Sequence, residues 1–152
     1  MAGARYTASG SQTLAATLDT TIHVASNGTT AHRTWIYDFQ IGDVGTPADN
    51  VVVYTAQRMT AVGTHTDVTP TLVDLADRAA QADVGENHTA EPTYTASEEV
   101  WEMGLNTRAA YRWVAPPGGE FVTPATTGDG IGWGGVHASA TTDNRITVAW
   151  VE

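Results

Sequence analysis

Apolar and polar positions alternate with period two through most of this chain, and a period near 3.6 occurs once. Leu14, Ala16 and Leu18 open the alternation, and Ile22 and Val24 continue it up to Ser26-Asn27-Gly28-Thr29. There Asn-Gly supplies the positive φ of a tight hairpin. The return strand places Trp35, Tyr37, Phe39 and Ile41 on one face and Thr34, Ile36, Asp38 and Gln40 on the other. Residues 42–50 break it, and residues 51–58 form a further strand running toward Val62. Alternation returns at Trp101, Met103 and Leu105, then at Tyr111 and Trp113. It recurs around residues 120–123 and 131–138 and at Ile146, Val148 and Trp150, with Pro116-Pro117-Gly118-Gly119 as the strongest turn.

The helical period lies at residues 71–83. Thr71 is placed to cap it, Asp74 follows three residues later, and Leu72, Leu75, Ala76, Ala79 and Ala82 make one stripe ending before Gly85. This predicts a helix of about three turns, with an Asp74–Arg78 pair adding about 0.3 kcal/mol. Eight or so short strands with one helix in a connection, and no βαβ rhythm, predict an all-β fold: a single jelly-roll-like antiparallel β-sandwich. Residues 1–13 are small and polar without a sustained period. They are expected to form an extended N-terminal arm, able to reach roughly 40 Å at about 3.3 Å per residue, ahead of a domain at 14–152.

Composition sharpens this picture. Leu, Ile, Val and Phe together make only 27 of 152 residues, but 25 Thr, five Trp and five Tyr supply sheet-forming bulk. Such a core is thin, so burial between copies is a natural supplement to it. With no cysteine, disulfides and thiol chemistry are excluded. No apolar run is long enough to span a bilayer, and Met1 to Thr7 lack the apolar core of a secretory leader, so a soluble chain without membrane partners is expected. The formal charge of -10, without a basic run, argues against nucleic acid as a partner.

Motifs that suggest chemistry lack their context. Gly130-Ile-Gly-Trp-Gly-Gly135 spells the dinucleotide fingerprint, yet no helix start follows, so these glycines are read as relieving crowding in a bent strand. Without lysine there is no phosphate-binding P-loop. His23, His32, His65, His88 and His137 show none of the short spacings that pair two imidazoles on one metal. His65 and Asp67 share one side of a strand and are read as a surface hydrogen bond. No cofactor or metal is expected. None of the five serines sits in G-x-S-x-G. Glu98, Glu99 and Glu102 flank Trp101 and are read as a solvated edge with the indole turned inward, the alternative being a pair of glycoside-cleaving carboxylates.

The stretch Glu98-Glu-Val-Trp-Glu-Met-Gly-Leu-Asn-Thr-Arg-Ala-Ala-Tyr-Arg-Trp-Val-Ala-Pro-Pro-Gly-Gly-Glu-Phe-Val-Thr-Pro-Ala-Thr126 resembles small virion proteins of tailed bacterial viruses. Those proteins combine a Thr/Ala/Gly-rich chain, an N-terminal arm, one jelly roll and a late Trp-Val-x-x-Pro-Gly-Gly-like turn. The resemblance implies a non-enzymatic head decoration (cement) protein, a homotrimer bound to the major capsid protein on the outer capsid surface of the virion. It carries no residue-level site. Candidate partner contacts are Arg5 and Tyr6 in the arm and the aromatics Trp101, Trp113 and Trp133. The alternatives are a carbohydrate-binding β-sandwich, a tail or fibre component and, least supported, a jelly-roll enzyme.

Overall fold

The computed structural model describes residues 3–29 and 32–152, which form twelve strands and no helix. In chain order they are β1 (Arg5–Leu14), β2 (Asp19–Ala25), β3 (Trp35–Val44), β4 (Val51–Ala61), β5 (Thr64–Asp67), β6 (Thr71–Leu72), β7 (Asp83–Ala90), β8 (Thr93–Asn106), β9 (Ala110–Val114), β10 (Phe121–Val122), β11 (Gly130–Val136) and β12 (Thr142–Val151). One antiparallel sheet runs β10-β3-β12-β1-β6, with β9 also on β3, and the other runs β5-β7-β2-β11-β4-β8. The two pack face to face as a β-sandwich.

Aromatic rings supply the bulk that the aliphatic count lacks. Trp133, Trp150, Tyr6, Tyr54 and Phe39 are the largest fully buried side chains, and Leu14, Ile22, Ile36, Ile131 and Ile146 fill between them. At about 1.5–3 kcal/mol per buried large side chain, these rings and aliphatics together supply much of the apolar contribution to the fold.

Four expectations are corrected. First, residues 5–13 are extended but do not form an arm: they belong to β1, inside its own sheet, paired with β12 from Arg5↔Val151 to Leu14↔Thr142 and with β6 through Tyr6 and Thr7. Tyr6, Ala8, Gly10 and Leu14 face inward in alternation. The sheets approach so closely here that a Cβ on Gly10 would lie 2.6 Å from the Thr21 carbonyl oxygen. Met1 and Ala2 lie outside the described residues.

Second, residues 71–83 form no helix. Thr71 and Leu72 are β6, and the following backbone bonds to distant residues and to the nearby Asp74 side chain instead of to its own i−4 carbonyls. Val73 N donates to Arg5 O, Ala76 N to Asp74 Oδ1, and Gln81 N and Ala82 N to the Glu152 carboxylate, while Arg78 O accepts from the Tyr6 hydroxyl. Leu75, in the expected stripe, is 88% exposed.

Third, Ser26 to Thr29 do not close a hairpin: β2 pairs with β11 and β7, whereas β3 pairs with β12, so the segment passes from one sheet to the other. The connection includes Thr30 and Ala31, outside the described residues. Fourth, β3 changes parity. Its pairing with β12 shifts between Ala149 and Trp150, opposite Tyr37. Phe39 and Ile41 therefore face the core with Ile36, and Trp35 and Tyr37 are half-exposed.

The glycine-rich segment 130–135 is β11, flanked by β2 and β4, with a register shift at Trp133/Gly134. That agrees with a bent strand and leaves no helix N-terminus for a pyrophosphate.

Candidate functional site

Three adjacent strands bring three imidazoles together. On β2, Ile22 and Val24 belong to the core, so His23 between them projects from the opposite face of the sheet. The register places Gly85 of β7 beside His23 and Asp67 of β5 beside Gly85, while Asp83 of β7 neighbours Ala25. His65 shares the face of Asp67, two residues on. A break in β7 at Asn87 (φ 51°) and the irregular β5–β7 pairing let His88 join the same face. Donor nitrogens of His23, His65 and His88 all lie within 4.8 Å of one another.

Gly85 makes the cluster sterically possible. A Cβ there would fall 2.1 Å from His65 Cδ2 and 2.7 Å from His23 Cε1, so the two rings occupy the volume any other residue would need. The rings of His23 and His65 meet edge to face at 4.6 Å, and those of His23 and His88 at 5.1 Å.

Hydrogen bonding orders these rings. His88 Nδ1 lies 3.0 Å from the carbonyl oxygen of Thr20, which only accepts, so Nδ1 carries the proton. His88 Nε2 then presents a lone pair to His23 Nδ1 at 2.9 Å, and His23 donates. Burial pushes His88 down to about 4 and also lowers His23, which keeps both rings neutral near pH 7. The lone pair of His23 is thereby left on Nε2, which is fully buried and has no hydrogen-bond partner. Facing it are Asp83 Oδ1 at 3.8 Å and the His65 ring, whose Nε2 is 3.7 Å from Asp83 Oδ1 and 3.2 Å from Asp67 Oδ1. The group opens to solvent through a depression lined by Asn27, His65, Asp67 and Asp83, and the Asp67 side chain is 95% exposed.

A second polar knot adjoins it. Thr20 Oγ1 donates to the Glu91 carboxylate and accepts from the Tyr94 hydroxyl at 2.6 Å, and burial raises both Glu91 and Tyr94.

In the sequence, His23, His65 and His88 lack the short spacings of paired metal ligands and are set aside on that ground, His65 and Asp67 read as a surface hydrogen bond, and nothing marks Asp83. Their only signal is three-dimensional, because the ligands are brought together by strand order and not by spacing.

The candidate partner contacts fall into two groups. Tyr6 and Trp133 are fully buried and present no surface, because each fills the space between the sheets. Arg5 is exposed. Trp101 and Trp113 are half-buried at one end of the sandwich: Trp101 stacks on Tyr111 at 5.5 Å, and Trp113 lies between Phe39 and Phe121. Glu98, Glu99 and Glu102 are exposed along β8 while Trp101 packs edge-on against Phe39. Arg5, Trp35, Tyr37, Glu120 and Val151 line a separate shallow depression of about 210 Å³.

β8 is the edge of its sheet, fourteen residues long and paired only with β4. Beside it, Val51 and Val53 are 59% and 40% exposed, opposite Asn106 and Gly104.

No family model matches this chain, and neither a curated protein nor a solved structure matches it.

Proposed function

We propose that this chain is a non-enzymatic virion structural protein: a jelly-roll decoration (cement) protein that assembles as a homotrimer on the major capsid protein, at the outer surface of the head. The strand order supports the jelly roll. Within the sandwich, β1-β12-β3-β9 faces β2-β11-β4-β8, so that of these eight strands all successive pairs but β4 and β8 alternate between the two sheets, the arrangement used by capsid and lectin domains.

The observation that carries the assembly role is the β8 edge. A long strand paired on one side leaves a row of backbone donors and acceptors open, and such edges are normally blunted in proteins that stay alone. Here Glu98, Glu99 and the register breaks opposite Gln57, Met59 and Ala61 blunt the first half of the edge, whereas the regularly paired half from Trp101 to Asn106 lies open beside the exposed Val51 and Val53. Burying it against another copy or the shell adds the area that a thin core lacks, and repetition over many sites turns modest contacts into a clamp. The acidic surface keeps free subunits dispersed before they dock.

The test is sedimentation of the purified chain alone and with undecorated heads. A trimer that co-sediments with heads, and a V51D/V53D pair that does not, is the expected result. A monomer that ignores heads overturns the proposal.

A second reading, a carbohydrate-binding module, is favoured by the depression in which Trp35 and Tyr37 stand half-exposed beside Arg5 and Glu120. Rings with flanking charged groups suit a sugar face and its hydroxyls. Quenching of tryptophan fluorescence by a glycan panel, abolished by W35A, distinguishes it.

A further inference from the structure

We infer that His23, His65, Asp83 and Asp67 form a binding site for a divalent transition cation of the zinc class, which staples the short edge strand β5 to β7 and β2.

His23 and Asp83 bring two acceptors face to face. The hydrogen-bond chain from Thr20 O through His88 to His23 fixes the His23 tautomer and leaves a lone pair on a fully buried Nε2. Across 3.8 Å lies Asp83 Oδ1, which is also an acceptor. A cation between them would satisfy the buried, unpartnered Nε2 of His23 and the partly exposed Asp83 carboxylate together. His88 here has the part that outer-shell partners have in known metal sites, orienting the ligand ring through its other nitrogen.

The separations fit a cation. Donors held at about 2.0–2.2 Å around a tetrahedral ion stand roughly 3.4 Å apart. Three of the six pairs among the four donors are on that scale, at 3.8 Å for His23–Asp83, 3.7 Å for His65–Asp83 and 3.2 Å for His65–Asp67. Two imidazoles and two carboxylates suit zinc better than magnesium or calcium, which prefer all-oxygen shells. The ligands come from three neighbouring strands, and Gly85 at their centre clears the volume the rings occupy. The depression beside Asn27 provides an entry path.

The cation's role would be structural. β5 has four residues and is followed, apart from the two-residue β6, by an irregular connection running to residue 82, so it is weakly held by pairing alone. A metal bridging Asp67 and His65 to β2 and β7 fixes it, as small domains with limited cores often require. This goes beyond the assembly proposal and does not depend on it.

The experiment is calorimetric titration of zinc chloride into the full chain after chelator treatment, followed by thermal melts with and without zinc. Expected are one zinc per chain, micromolar or tighter binding, and a melting temperature that rises with zinc and falls back with EDTA. D83N and H65Q should each weaken binding by about 100-fold or more, while H137Q leaves it unchanged. D67N, at an exposed side chain, provides a variant whose folding is not at risk and should weaken binding about tenfold. Cobalt substitution should give the intense visible bands of a tetrahedral site. Absence of wild-type binding at 100 μM zinc overturns the inference. So does binding that persists unchanged in both D83N and H65Q.

Discussion

Trp113 stacks on Phe121 with ring centroids 4.3 Å apart and planes 17° from parallel. The pair joins β9 and β10, two short strands that share one edge of β3 without pairing to each other. Phe39 of β3 lies against both rings, so one aromatic stack closes this end of the sandwich. Trp113→Ala should therefore cost about 2–4 kcal/mol, seen as a lower urea midpoint at unchanged slope. A loss below about 0.5 kcal/mol would mean that the stack does not close the fold.

Removing residues 1–13 should leave no cooperative unfolding transition. The deletion takes Tyr6 and Ala8 out of the core and exposes β12 along its length. A dispensable arm predicts the opposite, a soluble chain with unchanged near-ultraviolet circular dichroism, so the two outcomes are easily told apart.

Gly85→Ala should destabilise the protein by about 1–3 kcal/mol, because the new methyl group meets the ring of His23, which is fully buried and cannot move aside. Histidine resonances of His23 and His65 in NMR spectra should shift most. Unmoved resonances and full stability would show that the rings are not held over this glycine.

Asp43 gives the pH prediction. Burial raises its carboxyl above the ordinary value of 3.8, against hydrogen bonds from the Tyr54 hydroxyl at 2.9 Å and Thr142 Oγ1 at 3.3 Å and the pull of His137. A raised value means the folded chain holds the proton more tightly than the unfolded one. This contribution to stability is complete below pH 3.8 and is lost as pH rises through the folded-state value. Asp43→Asn, which keeps an acceptor for Tyr54, should flatten that part of the stability profile and match or exceed wild type at pH 7. A variant much less stable at pH 7 would show that the charged form is favoured by the fold.

Much of the sheet pattern is legible in the chain itself. Val52, Tyr54 and Ala56 face inward as alternation requires, and so do Ile146, Val148 and Trp150. β1 is harder to read because Ala8 and Gly10 carry its inward face, and neither contrasts with the Ser and Thr beside them. The parity change at Tyr37 arises from a register shift imposed by β12, far away in sequence. The stripe at 71–83 has a helix's spacing, but Glu152, Arg5 and Tyr6 offer its backbone better partners than its own turns do. The histidine cluster is invisible for a related reason: no two of its rings come from one strand, and the glycine that admits them reads as a helix stop.

The pairing of β1 with β12 also constrains how the chain is made. Thr13 bonds to Asp143, 130 positions later, and the same ladder runs on to Arg5 and Val151. While ribosomes are still at work on the intervening sequence, Tyr6 and Ala8 have no lasting neighbour on that side, so this edge of β1 stays unsatisfied until β12 has emerged. Slow, late closure of this kind invites help from chaperones and penalises crowded synthesis, where two nascent chains can find each other's open ladders first.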